Sequence, residues 1–276
     1  TEIIKAILTE SDIEHDLIDE IILGQVLTGG SGQNPARQSS IYAGMPVELP
    51  AMTINKVCGS GLKAVALAAV AIKAGEGYLI IAGGQENMSL AMHGSYLRGG
   101  SKFGDTKLID FMMYDGLTDV FSDEMMGITA ENIASQFKIS REDQDKFALA
   151  SQIKAAKAQQ SGKFKDEIVP IEVKTKKEDV VFSSDGGIRE NSTLEGLTKL
   201  RPAFKADGSV TAGNSSTIND GAAGLLVASA AAVKKYNLKP LARIVSYAQC
   251  GVEPSIMGIG PVPASKKALA KAGRRP

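Results

Sequence analysis

The sequence predicts an α/β chain, a mixed and mostly parallel sheet with helices on both faces, interrupted by one long inserted region. Three observations carry this reading. Apolar runs of strand length alternate with amphipathic or small-residue runs of helix length over residues 1–84. The helical stretch starting at Ser60 is followed at once by "YLIIAGG", which closes a strand–helix–strand unit. From residue 85 to about 209 the alternation fails, and Met, Gly, Asp and Lys become more frequent.

In chain order, "TEIIKAIL" is an amphipathic helix with Ile3, Ile4, Ile7 and Leu8 on one face. "EIILGQVL" reads as a buried strand and "TGGSGQ" as a loop. "NPARQSSIYAG" is a short helix, with Asn34 as cap, Pro35 at the first position and Gly44 closing it. An extended segment then leads to Cys58, followed by a helix from Ser60 to Ala74 and the strand "YLIIAGG". The inserted region holds short surface pieces and one clear helix. That helix starts at Ser140, with Asp143 three residues on in a capping-box arrangement, and ends near Gly162. Alternation resumes with "VTAGNSS", the strand "GLLVAS", a helix through Tyr236 and a strand "LARIVSYAQCG". The implied domains are 1–87 with 218–240, an inserted loop domain 88–217, and the start of a second domain at 241–276. The first residues lie inside a helix and "ALAKAGRRP" stops just after one, so both ends read as cuts through a larger protein.

A chain of 276 residues with 43% hydrophobic content buries a substantial core, as one large or two medium domains. Lys plus Arg equals Asp plus Glu at 31 each, which favours neither nucleic acid nor an anionic membrane as partner. The longest apolar run, residues 64–72 between Lys63 and Lys73, is short for a bilayer, and no signal peptide opens the chain. Cys58 and Cys250 make no disulfide framework, so a reducing, cytoplasmic compartment is expected, with the mitochondrial matrix left open. With His15 and His93 as the two histidines, no metal site is expected.

Cys58 sits in "INKVCGSGLKAVALAAVAIKAG", between an extended segment and a helix of small residues that could be buried on all sides. Helix N-termini present unpaired N–H groups and a positive dipole end, and thiols placed there become acidic. Gly59 and Gly61 allow close backbone approach by a substrate. The residues alone leave two readings open. One is a nucleophile for covalent acyl chemistry, the other a small buried hydrophobe.

"NKVCGSGLKAV" resembles the acyl-enzyme signature of the thiolases. "GQNPARQ", "AGGQENMS", "DGLTDVF", "MGITAEN", "SREDQD", "GKFKDEIVP", "KLRPAF", "VTAGNSSTINDGAA" and "GVEPSIMGIGPVPA" follow in the family's order at family-like spacing. The resemblance runs over nearly the whole chain and is nearest to the acetoacetyl-CoA branch of the family. It implies a thiolase-like fold and an acyltransferase in which Cys58 takes an acetyl group from acetyl-CoA. The α-carbanion of a second acetyl-CoA then attacks it, giving acetoacetyl-CoA and CoA. It implies acyl-CoA substrates, no other cofactor and a dimer of dimers. By matching positions, Arg189 in "GGIREN" stacks on the adenine and Phe204 in "RPAF" runs along the pantetheine. Ala212 and Ser216 in "TAGNSS" lie near the pantetheine amides, and Leu117 and Met126 line the channel to the thiol. A planar guanidinium and apolar walls suit those roles. The plainer readings are a solvated loop charge for Arg189 and ordinary core for Phe204.

The sequence also departs from the family. The late "CxGGG", "GHPxGxSG" and "NEAF" motifs, with their catalytic cysteine, histidine and asparagine, do not occur in it. Cys250 in "AQCGVEP" matches none of them and is expected as a strand cysteine in the core. Met125 in "EMMG" stands where the acetoacetyl-CoA branch commonly has histidine and broader-range thiolases often have methionine. His93 in "AMHGSYLRGG" is expected to be structural, and "YLRGGSKFGDTKLIDFMM" resembles a tetramerisation loop of the biosynthetic type. The alternatives to acetoacetyl-CoA formation are a 3-ketoacyl-CoA thiolase of fatty-acid β-oxidation and a non-catalytic acyl-CoA-binding protein.

Overall fold

The computed structural model describes residues 1–100, 102–176 and 178–275. Its elements are α1 (Glu2–Ser11), β1 (Glu20–Gly24), α2 (Pro35–Tyr42), β2 (Ala51–Ile54), α3 (Ser60–Ala74) and β3 (Leu79–Asn87). Short ribbons β4 (His93–Gly94) with β5 (Ile109–Asp110), and β6 (Thr118–Asp119) with β7 (Glu124–Met125), follow. Then come α4 (Met126–Gln136), α5 (Arg141–Gln160), the pair β8 (Ile171–Lys174) and β9 (Asp179–Phe182), and α6 (Leu194–Thr198). The last elements are β10 (Asp220–Ala228), α7 (Ala230–Lys235) and α8 (Pro261–Lys271). They divide into one unit of residues 1–116 with 219–247 and another of residues 117–218 with 248–276.

The first unit is built on a four-stranded sheet in the order β10-β3-β1-β2, with β1 parallel to both β2 and β3 and β10 antiparallel to β3. Successive strand residues point to opposite faces, and here both faces are covered. Ile21, Leu23, Leu79 and Ile81 pack against Ile4 and Leu8 of α1, Ala36 of α2 and Ala232 of α7. Ile22, Ile80, Ala82 and Val227 pack against Ala64 and Ala68 of α3. This two-sided burial is why the strands read as unbroken apolar runs. The cap of α2 forms as its sequence dictates: the Asn34 carboxamide oxygen accepts from the Arg37 N–H at 3.2 Å, and Gly44 takes φ +83°.

Helix α3 departs from its expected burial on all sides. The sheet covers the stripe of Ala64 and Ala68, whereas Leu62 is 80% exposed. The 18-residue window Val57–Ala74 has a mean hydropathy of 1.6, long and apolar enough by composition to cross a membrane, contrary to the estimate from the shorter uninterrupted run. A core helix of a soluble fold has the same composition, and α3 is packed on a sheet.

The second unit holds α5, capped as expected by Ser140, whose hydroxyl oxygen accepts from the Asp143 N–H at 3.1 Å. It also holds α4, which the sequence did not announce. "MGITAENIASQ" mixes its Ala, Glu and Gln with Gly, Thr, Asn, Ser and two β-branched Ile, and its N-cap Met125 makes no side-chain cap. Tertiary bonds supply what propensity lacks, among them Asn132 Nδ2 donating to the Ser255 carbonyl at 3.0 Å. Two further corrections follow. β10 begins at Asp220, four residues before the expected "GLLVAS". "LARIVSYAQCG" is not a strand: no partner ladder meets it among the described residues, and Leu241 is 98% exposed. Its β-branched residues satisfied the pattern, but a strand needs a neighbour as well.

Candidate active site

The thiol is presented by a strained turn. After β2 the Asn55 carboxamide oxygen accepts from the Val57 N–H at 2.8 Å. This turns the chain so sharply that Val57 adopts φ +46°, a costly region for a β-branched residue. Ser60, almost fully buried, locks the turn: its hydroxyl accepts from the Lys56 N–H at 2.7 Å and donates to the Val57 carbonyl at 2.6 Å. Cys58 stands on this turn, exposed, one residue before Gly59, the N-cap of α3. The reading of Cys58 as a buried hydrophobe is therefore not what the structure shows.

The turn is seated on the sheet by glycines. A Cβ on Gly24, at the end of β1, would lie 2.6 Å from the Gly61 nitrogen and from Ser60 Cβ. One on Gly84 of β3 would lie 3.3 Å from Gly61 Cα. The start of α3 thus presses onto the C-terminal ends of two parallel strands, the edge at which open α/β sheets bind ligands. Two cavities of about 280 and 320 Å³ share Gln25, Ser31 and Asn87, and neither is lined by Cys58. The chemistry of the thiol, not concavity, marks this site. Cys250 is exposed too, but in a non-regular segment rather than in a core strand as expected. His93 Nε2 lies 3.8 Å from the Asp110 carboxylate across the β4–β5 ribbon.

The second unit carries the six residues matched to CoA binding, in two groups of three. Leu117 ends the π-helical turn Met112–Leu117, and because Thr118 pairs with Met125, Leu117 and Met126 flank the same end of the β6–β7 ribbon. The Phe204 ring lies over Gly127, so closely that a Cβ there would collide with it, which puts the ring beside Met126 on the first turn of α4. Arg189, exposed, reaches the Ala212 carbonyl through Nη1 at 3.5 Å. Ser216 is exposed on the same loop as Ala212.

That loop is held from below by Glu131 of α4. Its carboxylate accepts from the N–H of Ser209 at 2.8 Å and of Val210 at 2.7 Å, and from the Ser209 hydroxyl at 3.0 Å. Burial alone would raise the Glu131 pKa, but these hydrogen bonds, with the nearby charge of Lys205, outweigh it and hold the carboxyl below the ordinary glutamate value of 4.5. A depressed folded pKa gives stability that is complete above pH 4.5 and is lost as the pH falls from there through the lower folded value. Acid titration followed by hydrogen exchange at the Ser209 and Val210 amides is expected to show their protection lost in that window. Glu131→Gln is expected to remove that pH dependence.

Sequence reasoning did not single out Val57, Ser60, Gly24, Gly84 or Glu131. The glycines carried a legible signal, since glycine within or at the end of a strand marks close backbone approach. The strain at Val57 and the carboxylate clamp carried none.

The chain belongs to the thiolase family, a family of acyltransferases. The model for "Thiolase, N-terminal domain" matches residues 1–231, and that for "Thiolase, C-terminal domain" matches residues 238–275. Among its relatives, a protein of Rhizobium meliloti named acetyl-CoA acetyltransferase is 55% identical over 98% of this chain and 69% of its own length. One of Pseudomonas aeruginosa with the same name is 56% identical over 98% and 70%. The crystal structure of the Bacillus anthracis acetyl-CoA acetyltransferase is 41% identical with a TM-score of 0.96, covering 99% of this chain and 69% of that one.

Proposed function

We propose that this chain is an acetyl-CoA C-acetyltransferase, joining two acetyl-CoA into acetoacetyl-CoA and CoA or running the reverse thiolysis. The observation that carries the reading is the exposed thiol of Cys58 on a strained turn at the N-terminus of α3, in a chain more than half identical to relatives of that name. The Cys58 sulfur attacks the thioester carbonyl, CoA leaves as the thiol, and an acyl-cysteine remains. A carbanion formed by loss of the α-proton of the second acetyl-CoA attacks the acyl carbon. The carbon–carbon bond forms and the cysteine sulfur is expelled.

Residues 88–217 are read as the loop domain that covers CoA. Arg189 is proposed to meet the adenine, Phe204 the pantetheine, and Ala212 and Ser216 its amides, with Leu117 and Met126 along the channel. The Arg189–Ala212 contact and the Phe204 ring on the first turn of α4 support these roles. Acyl-CoA is the substrate, and the reaction needs no metal. A dimer of dimers in the cytoplasm completes the proposal, supported by the exposed apolar side chains of Tyr96, Leu97, Phe103 and Leu108 in the matched tetramerisation loop. Sedimentation of the whole protein tests the oligomer. Mass spectrometry after incubation with acetyl-CoA tests the chemistry: acetyl on Cys58 is expected, and acetyl on Cys250 alone would overturn it.

A second reading, a 3-ketoacyl-CoA thiolase for longer chains, draws on Met125, a flexible apolar side chain beside the proposed channel residue Met126. The match of the loop over residues 97–113 to the biosynthetic branch covers many more positions. Each methylene in an apolar pocket changes discrimination by roughly 1–3 kcal/mol. Thiolysis of acetoacetyl-CoA is therefore expected to exceed that of 3-ketohexadecanoyl-CoA by at least about tenfold in kcat/KM, or about 1.4 kcal/mol. Equal or reversed rates at saturating CoA would move the protein to the longer-chain branch.

A further inference from the structure

We propose that Asp145, Asn214 and Glu131 are positioning residues for CoA, fixing from beneath the loop that carries Ala212 and Ser216. This rests on the reading of that loop as a CoA contact. Asp145 is fully buried on α5. One of its oxygens accepts from Arg141 Nε at 2.8 Å, and the other accepts from Asn214 Nδ2 at 3.0 Å. The same Asn214 nitrogen donates to the Ser209 carbonyl at 3.0 Å, and the Asn214 carboxamide oxygen accepts from the Thr211 N–H at 2.8 Å. Glu131 takes the Ser209 and Val210 amides, and Gln144 Nε2 donates to the Ser209 hydroxyl at 2.9 Å. Arg141 continues the network through Nη2 to the carbonyls of Leu197 at 2.8 Å and Leu200 at 3.0 Å, at the start of the segment leading to Phe204.

Two features separate this network from ordinary cohesion. Buried ionic groups are weak stabilisers, because desolvation offsets most of their attraction, and in some proteins their role is to select one conformation among several, the role proposed for this network. What they hold is the step from core to surface: Val210 and Thr211 are buried, and the chain emerges directly after them. The turn that follows carries Ala212 and Ser216, both exposed, and belongs to no strand pairing among the described residues. Every amide from Ser209 to Thr211 is bound by a side chain of α4 or of Asn214, and the turn beyond is tied back to Thr211 through the Gly213 and Asn214 N–H groups, which restricts the arrangements open to residues 212–216. A ligand meeting a preformed loop does not have to order it, which lowers the cost of binding.

The test uses the whole protein, with five readouts: KM for CoA and kcat in thiolysis, calorimetric Kd for CoA, iodoacetamide alkylation rate at Cys58, and melting temperature. Asn214→Ala is expected to raise KM and Kd for CoA at least about tenfold, while kcat stays within about threefold and Cys58 alkylation is unchanged. Glu131→Ala is expected to behave alike, and Glu131→Gln, which keeps an acceptor oxygen for the amides, to recover most of the affinity. If Asn214→Ala does not fold, Ser209→Ala removes only the hydroxyl shared by Glu131 and Gln144, and an increase of about threefold in Kd is expected. Affinity for CoA within error of wild type in the folded variants would overturn the proposal, as would kcat, alkylation and melting temperature all falling together. Wild-type protein that binds CoA but does not turn over acetoacetyl-CoA would sink the acetyl-transfer reading alone, leaving the clamp to be judged on the Kd series. Wild-type protein that binds no CoA would overturn both.

Discussion

Cys58→Ala is expected to leave a folded protein in which acetyl transfer is lower by about four orders of magnitude or more, the usual consequence of deleting a covalent nucleophile. The side chain is exposed and ends one residue before the N-cap of α3, so its removal opens no cavity. The turn that presents it is closed by Asn55 and Ser60, not by the thiol. Cys250→Ser is expected to keep wild-type turnover. Brief iodoacetamide treatment followed by peptide mass spectrometry is expected to label Cys58 in wild type, with acetyl-CoA suppressing that label. Activity retained in Cys58→Ala, or suppression confined to Cys250, would remove Cys58 from the mechanism.

Gly24→Ala is expected to be among the most damaging single-methyl additions in the first unit. The new Cβ would stand 2.6 Å from the backbone of Ser60 and Gly61, and backbone cannot turn aside as the tip of a long side chain can. Overpacking of this kind costs about 1–3 kcal/mol, and the close approach of two main chains places Gly24 at the upper end. A fall in melting temperature of roughly 5–10 °C corresponds to that loss. Activity is expected to fall further than stability, because the displaced residues are those that anchor the Cys58 turn. Gly221→Ala is the control, with no atom within 4 Å of its Cβ, and is expected to stay within about 0.5 kcal/mol of wild type. Equal melting temperatures for the two variants would show that the helix start is not seated on β1 as described.

Much of the first unit was legible in the linear pattern because its elements are locally consistent. The apolar run at residues 21–23, the Asn34-Pro35 cap and the small-residue stretch beginning at Ser60 each specify one structure without help from elsewhere, and each forms as read. The residues proposed to contact CoA were reached only through resemblance, since an exposed arginine or a half-buried phenylalanine has no signature in one sequence. Helix α4 and the segment 241–251 were misread for opposite reasons. The helix has mixed propensity, no side-chain cap and a tertiary bond to hold it, whereas the segment has strand-like residues and no ladder among the described residues.

The sequence by itself determined that this is an α/β chain with a cysteine at the start of a small-residue helix, because periodicity and capping are local properties, written within a few residues of where they act. Only the folded chain decided that Val57 is strained, that Gly24 and Gly84 admit the start of α3, and that Asp145, Asn214 and Glu131 grip a loop about 70–80 residues away along the chain or hold it from within. Those are distances between groups remote in sequence, set when the sheet and helices pack, and no local pattern encodes them.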